Sequence, residues 1–270
     1  MARNSPPDYE LAERIALTRD VSSTLGNCEL SYVDRTPIDI ERAEHQHAAY
    51  RGALEACGCR VIALPAEPDF PDAVFVEDVA LVFDELAVST RPGAESRRGE
   101  VASVARELAR FRAIHRSIEA PGTIDGGDVL RIGRTVYVGA SYRSNASAVE
   151  QLRALLRAHD CAVERVSIRD CLHLKSAVTL VADGVVLVNP EWVDVGAFAA
   201  FRRIDIDPDE PHAANALRIG DRAIYPSSFP RTARRLEAAG IALEIVDVSE
   251  LQKAEGAVTC CSIVFRDSPA

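Results

Sequence analysis

The chain has 270 residues, 47% of them hydrophobic, enough to fill one large core or two small ones. Lys and Arg number 31 against 41 Asp and Glu, a formal charge of -10. This disfavours non-specific binding to nucleic acid or an anionic membrane, which needs a positive surface, and suits a small cationic ligand.

The opening stretch, MARNSPPDYELAERIALTRDV, has no charged leader followed by an apolar core. No segment approaches the roughly 20 apolar residues of a membrane span. The expectation is a cytoplasmic protein of one domain over residues 1–270, with residues 1–20 as a flexible N-terminal extension. The seven cysteines, Cys28, Cys57, Cys59, Cys161, Cys171, Cys260 and Cys261, are odd in number and read as reduced thiols. In Cys57-Gly58-Cys59 only one residue separates the thiols and no ligand cluster adjoins, so no metal is expected there.

Taken in chain order, the elements repeat. An apolar strand CRVIALP is followed by FVEDVALVFDELAVSTRP from Phe75, which reads as strand, turn at Asp84-Glu85, and strand. RRGEVASVARELARFRAI then has helical periodicity. A second hairpin, DGGDVLRIGRTVYVGAS from Asp125, turns at Gly133-Arg134 and precedes the helix SNASAVEQLRALLRAH and the strand AVERVSI. A third, HLKSAVTLVADGVVLVNP from His173, turns at Asp183-Gly184, and a fourth, AANALRIGDRAIYPSS from Ala213, at Gly220-Asp221. The helix PRTARRLEAAG and the strand LEIVDVS follow.

A truncated fifth copy, TCCSIVFRD, ends the series, and its second strand is expected from the N-terminal segment CELSYVD. Equating Asp78, Asp128, Ser176, Asn215 and Cys261 spaces the units by 50, 48, 39 and 46 residues. Five units of hairpin, helix and strand around an axis make a single-domain, pseudo-symmetric α/β propeller. An open mixed sheet with similar hairpins is the alternative.

The repeat places polar residues at the entrance of each first strand: Glu77-Asp78, Asp125 to Asp128, His173 to Ser176, Asn215 and Cys260-Cys261. In a ring these meet near the axis. A thiol, an imidazole and several carboxylates are the components of nucleophilic catalysis, in which a base tunes the thiol and an acid orients the base. Taken singly, each has a plainer reading: a buried thiol, a core histidine, an Asp-Gly-Gly turn, a solvated strand end. Adjacent residues of a strand face opposite ways, so one of Cys260 and Cys261 should face the axis; the pattern leaves open which. Two carboxylates entering a buried axis call for a cation, which a guanidinium would supply.

The motifs DAVFVEDVA, TRPGAESRR, TIDGGDVL, HLKS from His173 and TCCSI from Thr259, in this order, closely resemble dimethylarginine dimethylaminohydrolase. The resemblance implies the five-bladed α/β propeller (pentein) fold and hydrolysis of methylated arginine to citrulline and an amine, without metal or organic cofactor. It implies Cys260 as nucleophile, His173 as proton donor and later base, and Asp125 as the acid orienting it. Glu77 and Asp72 would hold the guanidinium, with Asp78 in the polar wall. Arg97 and Arg143 would bind the α-carboxylate, Leu25 would belong to a lid, and the backbone near Ala254 would meet the α-amino group. The implied partner is a small methylated arginine, with no nucleic acid or membrane and a homodimer left open. An arginine deiminase, an amidinotransferase or a non-catalytic binder of cations are the competing readings.

Overall fold

The computed structural model describes residues 13–267. Fifteen strands form five sheets of three. The first blade holds β3 (Ala80–Val82), β4 (Ala87–Ser89) and β5 (His115–Ser117); the second holds β6 (Val129–Ile132), β7 (Thr135–Gly139) and β8 (Ala162–Val166). The third holds β9 (Val178–Ala182), β10 (Val185–Val188) and β11 (Arg202–Asp205); the fourth holds β12 (Leu217–Ile219), β13 (Arg222–Pro226) and β14 (Ala242–Val246). The fifth joins β15 (Ile263–Arg266), β1 (Arg14–Arg19) and β2 (Cys59–Leu64). In every blade the middle strand runs antiparallel to the inner one and parallel to the outer one. The chain therefore forms the five-bladed α/β propeller its repeats imply.

Local chemistry makes each unit. Gly133, Gly184 and Gly220 have φ of 60°, 67° and 63° in the expected hairpin turns, a region glycine enters without a Cβ clash. A crossover must then bring the chain back to pair in parallel. Four blades do this with a helix: α1 (Ile40–Ala56), α2 (Val101–Leu108), α3 (Ala146–Leu156) and α5 (Pro230–Ala238). Asp39 caps α1 by accepting from the Arg42 amide, Asn145 caps α3 by accepting from that of Ala148, and Pro230 opens α5. The third blade, spanning the shortest repeat, crosses on one 3-10 turn, Val195–Phe198. The helix of the repeat pattern is absent there. Five apolar clusters form the core, each bridging a pair of neighbouring blades.

Two expectations about the N-terminus are corrected. The partner of TCCSIVFRD is RIALTR, not CELSYVD: β1 pairs with β15 from Arg14↔Arg266 to Leu17↔Ile263 and buries all but its first residue. Residues 14–19 are thus the middle strand of a blade rather than part of an extension, and residues 1–12 lie outside the described ones. The CELSYVD segment instead runs as loop, its polar Glu29, Ser31 and Asp34 unsuited to the centre of a sheet. Among the described residues no helix is long and apolar enough to cross a membrane.

Candidate active site

Each inner strand is preceded by a tight turn or a single helical turn. Glu77 and Asp78 lie in a 3-10 turn (Val76–Val79), Asp128 in another (Gly126–Asp128), and Lys175 and Ser176 in α4 (Leu174–Ala177) just after His173. The cysteine pair sits in a turn before β15, where the Cys260 amide donates to Ala257 O at 3.1 Å. Strand alternation therefore does not decide between the thiols; the turn does. Cys260 lines a narrow cavity of about 20 Å³ together with Asp72, Asp78, His173, Arg143 and Ala254. Cys261 is fully buried in an apolar cluster with Tyr50 and Leu54, its thiol donating to Ala257 O at 3.4 Å. All seven cysteines are free.

The Asp-Gly-Gly-Asp segment proves to be more than a turn. Asp125, wholly buried, accepts from the Gly93 amide at 2.8 Å and binds His173 Nε2 at 3.1 Å. A Cβ on Gly126 would lie 1.9 Å from Glu77 O, and one on Gly127 would lie 2.4 Å from His173 Nδ1. The glycines let the second blade close on the first while the imidazole fits between them. Asp128, to which the motif gave no role, accepts from the Leu174 amide at 3.0 Å and from Ser144 Oγ at 2.6 Å. It thereby fixes the turn that carries His173.

The electrostatics follow. Burial alone would lower the His173 pKa, but the Asp78 charge, the hydrogen bond to Asp125 and the Asp128 charge outweigh it and raise it to about 9. The imidazole is thus protonated at neutral pH, with Nδ1 3.9 Å from Asp78 and outside hydrogen-bond range. Burial, reinforced by Glu77 and Asp78, pushes the Cys260 thiol up to about 12. Asp78, Asp125 and His173 are also close enough to share a metal ion. Their ligand atoms are otherwise engaged: Asp78 Oδ2 accepts from Arg97 at 2.5 Å, and Arg143 Nη1 is 3.6 Å from Asp125 Oδ2. Those two guanidiniums already compensate the acids.

Three assigned positions depart from expectation. Glu77 does not line the Cys260 cavity: its carboxylate accepts from Lys175 Nζ at 2.5 Å and Thr259 Oγ1 at 2.9 Å. It faces an axial cavity of about 320 Å³ lined by residues of all five inner strands. Of the Glu-Asp pair, Asp78 is the acid facing the thiol's cavity. Arg97 is buried and committed, donating to Glu100 from Nε at 3.1 Å and Nη2 at 2.8 Å, to Phe75 O at 3.1 Å, and to Asp78. One hydrogen of Nη1 remains. Arg143, whose Nε is buried without a partner, has more capacity for an incoming carboxylate. Leu25 is fully buried in the core at the start of a 3-10 turn. The residues over the cavity come later, from Glu29, whose amide donates to Asp72 Oδ2 at 3.1 Å.

Comparison with known proteins agrees with this geometry. A family model described as arginine deiminase matches residues 104–227. The N(G),N(G)-dimethylarginine dimethylaminohydrolase of Streptomyces coelicolor is 41% identical over 93% of this chain and 97% of its own length. That of Pseudomonas aeruginosa is 38% identical over 84% and 90%. A structure of a Cys-to-Ser variant of the Pseudomonas aeruginosa protein in complex with citrulline superposes with a TM-score of 0.90, covering 94% of this chain and 99% of that one at 34% identity. The N-terminal domain of a cyanobacterial arginine dihydrolase, 20% identical with a TM-score of 0.83 and covering 93% of this chain and 97% of that one, shares the fold. With five blades, a half-buried thiol beside an Asp-His pair, and this identity along nearly its whole length, the chain belongs to the dimethylarginine dimethylaminohydrolase family.

Proposed function

We propose that this protein hydrolyses Nω-methylated arginine to citrulline and dimethylamine or methylamine, through a thiouronium intermediate on Cys260. The observation that carries the reading is Cys260 and His173 on one small cavity, with Asp125 behind the imidazole and Asp78 beside it. Asp72 and Asp78 both line that cavity. A guanidinium entering it is held by the acids, and its charge favours the thiolate over the thiol. The thiol's proton passes to solvent as the cation enters, the thiolate attacks the guanidinium carbon, and His173 gives its proton to the departing amine as the C–N bond breaks. Neutral His173 then takes a proton from water, the hydroxide adds to the thiouronium carbon, and the C–S bond breaks with the hydroxyl proton passing to the departing thiolate, which releases citrulline and restores the thiol. Asp125 holds the imidazole's orientation throughout.

Arg143 would receive the α-carboxylate, with the free hydrogen of Arg97 beside it, and the Ala254 carbonyl would receive the α-ammonium. No cofactor enters this chemistry. Seven free thiols accord with a cytoplasmic protein. The test is incubation with asymmetric dimethylarginine, assaying citrulline and dimethylamine, with Cys260→Ser and Cys261→Ser alongside. Turnover lost in the first variant and retained in the second is expected. Robust ammonia release from arginine would instead make the protein a deiminase, and binding without product would make it a carrier.

A further inference from the structure

The arginines of TRPGAESRR divide between two places. Arg97 turns inward to Asp78 and Glu100, whereas Arg91 and Arg98 line an open cleft of about 670 Å³ that shares no lining residue with the Cys260 cavity. This cleft lies where the parallel strands β4 and β5 end, at Ser89 to Arg91 and Ser117 to Glu119, with one face of α2 as its wall. The carboxyl ends of parallel strands are where α/β units commonly take ligands, and the volume is that of a small-molecule site.

Its charge is opposite to that of the chain. Arg91, Arg98 and Arg106 line it against one carboxylate, Glu119, in a protein of formal charge -10. His115, whose pKa burial lowers and whose Nε2 lies 2.7 Å from Ser89 Oγ, adds no charge at neutral pH. Much of the guanidinium capacity is unspent. Of the five hydrogens each guanidinium carries, Arg91 uses one, on Gly122 O at 3.3 Å, and Arg98 uses two, on Pro92 O and the exposed Glu95, both at 3.2 Å. Arg106 has no partner among the described residues, and the acid beside it, Glu107, is taken by Arg110.

The backbone beneath these side chains is fixed from the active-site side. Arg91 O accepts from the Ile124 amide at 2.9 Å, the Gly93 amide donates to Asp125 at 2.8 Å, and Thr90 Oγ1 donates to Asp78 O at 2.7 Å. A cationic site on so constrained a base loses little further freedom when it takes a ligand. Arg98 and Arg106 stand two helical turns apart, roughly 12 Å along the axis, with Val101, Ala102 and Ala105 as an apolar wall between them. An extended anion with an apolar body matches both features, and a lone inorganic ion fills neither the length nor the volume. Phosphate offers acceptors in several directions, which suits guanidiniums arriving from a loop, a 3-10 turn and a helix. We propose that this cleft is a second binding site, separate from that of Cys260, for an organic phosphate of nucleotide size.

The experiment is calorimetric titration at low salt, where arginine–phosphate pairing is least screened, with ADP, adenosine, pyrophosphate and tricarballylate as probes. These separate the phosphate chain, the apolar body and carboxylate chemistry. Wild type should bind one equivalent of ADP at least tenfold more tightly than pyrophosphate or tricarballylate, and adenosine more weakly still. Arg91→Gln and Arg106→Gln should each weaken ADP at least tenfold, while Arg143→Gln, in the Cys260 cavity, should bind it as wild type does. Circular dichroism checks the fold of each variant. Arg106 is exposed, so its replacement leaves the fold intact and decides the matter even if Arg91→Gln unfolds. The inference is overturned if wild type binds no ADP, if pyrophosphate or tricarballylate binds as tightly as ADP, or if ADP affinity survives in Arg106→Gln and falls in Arg143→Gln.

Discussion

Gly127 is defined by what it lacks, since His173 Nδ1 occupies the space of its missing Cβ. Gly127→Ala should therefore displace the imidazole and lower kcat at least a hundredfold in the citrulline assay. Gly133→Ala, whose Cβ meets nothing within 4 Å, should cost only about 1 kcal/mol of backbone strain at φ of 60° and leave turnover intact. The raised pKa of His173 makes a second prediction. The folded chain holds the proton to about pH 9, against about 6.5 unfolded, so the stability it contributes is complete below 6.5 and disappears as pH rises through 9. At ~1.4 kcal/mol per unit this amounts to about 3 kcal/mol. Denaturant unfolding at pH 6 and pH 10 should lose this much more stability in wild type than in His173→Gln, and equal losses would refute the assignment. Residue identities at the site were legible because Asp-Gly-Gly-Asp, His-Leu-Lys-Ser and Thr-Cys-Cys-Ser recur at one position of a repeat. Side-chain direction was not: Glu77 and Asp78 are adjacent letters, and only the 3-10 turn shows that one faces the thiol and the other faces Lys175.

At the scale of elements, the nucleophile's turn is held from several sides. Tyr50 on α1 donates to Val258 O at 2.8 Å and meets Ser262 Oγ at 2.7 Å. Asn215, before β12, takes the Thr259 amide at 3.1 Å and donates to Thr259 Oγ1 and to Lys175 O, both at 3.0 Å. Asn215 thus ties the turn of Cys260 to that of His173. Asn215→Ala should lower kcat more than it raises KM, because the pocket walls remain while the thiol and imidazole lose their common brace. Tyr50→Phe, which strands a buried carbonyl, should cost about 1–3 kcal/mol in denaturant unfolding. The hairpins were readable from Asp-Gly and Gly-Arg turns between apolar runs, because turn chemistry is local. The third blade's missing helix and the strand Arg14–Arg19 were not. A crossover can be made by a 3-10 turn as well as by a helix, and the pairing of Leu17 with Ile263 joins residues almost a whole chain apart.

At the scale of the whole molecule, the five apolar clusters each need two neighbouring blades, so the ring is closed only when the last pair has docked. Leu17, fully buried between the fifth and first blades, is where that closure is most exposed to damage. Leu17→Asp would place an unpaired charge in the seam and should abolish cooperative unfolding seen by circular dichroism. The seam has another consequence. The Asp267 amide donates to Glu13 O at 2.8 Å, so the two ends of the described chain already touch. A short linker could join them and a new start could be made at the exposed Asp183-Gly184 hairpin. Such a circular permutant would keep every blade and every cluster. The order in which the blades are synthesised would then be a historical choice, and the folded ring would carry no memory of where its polypeptide began.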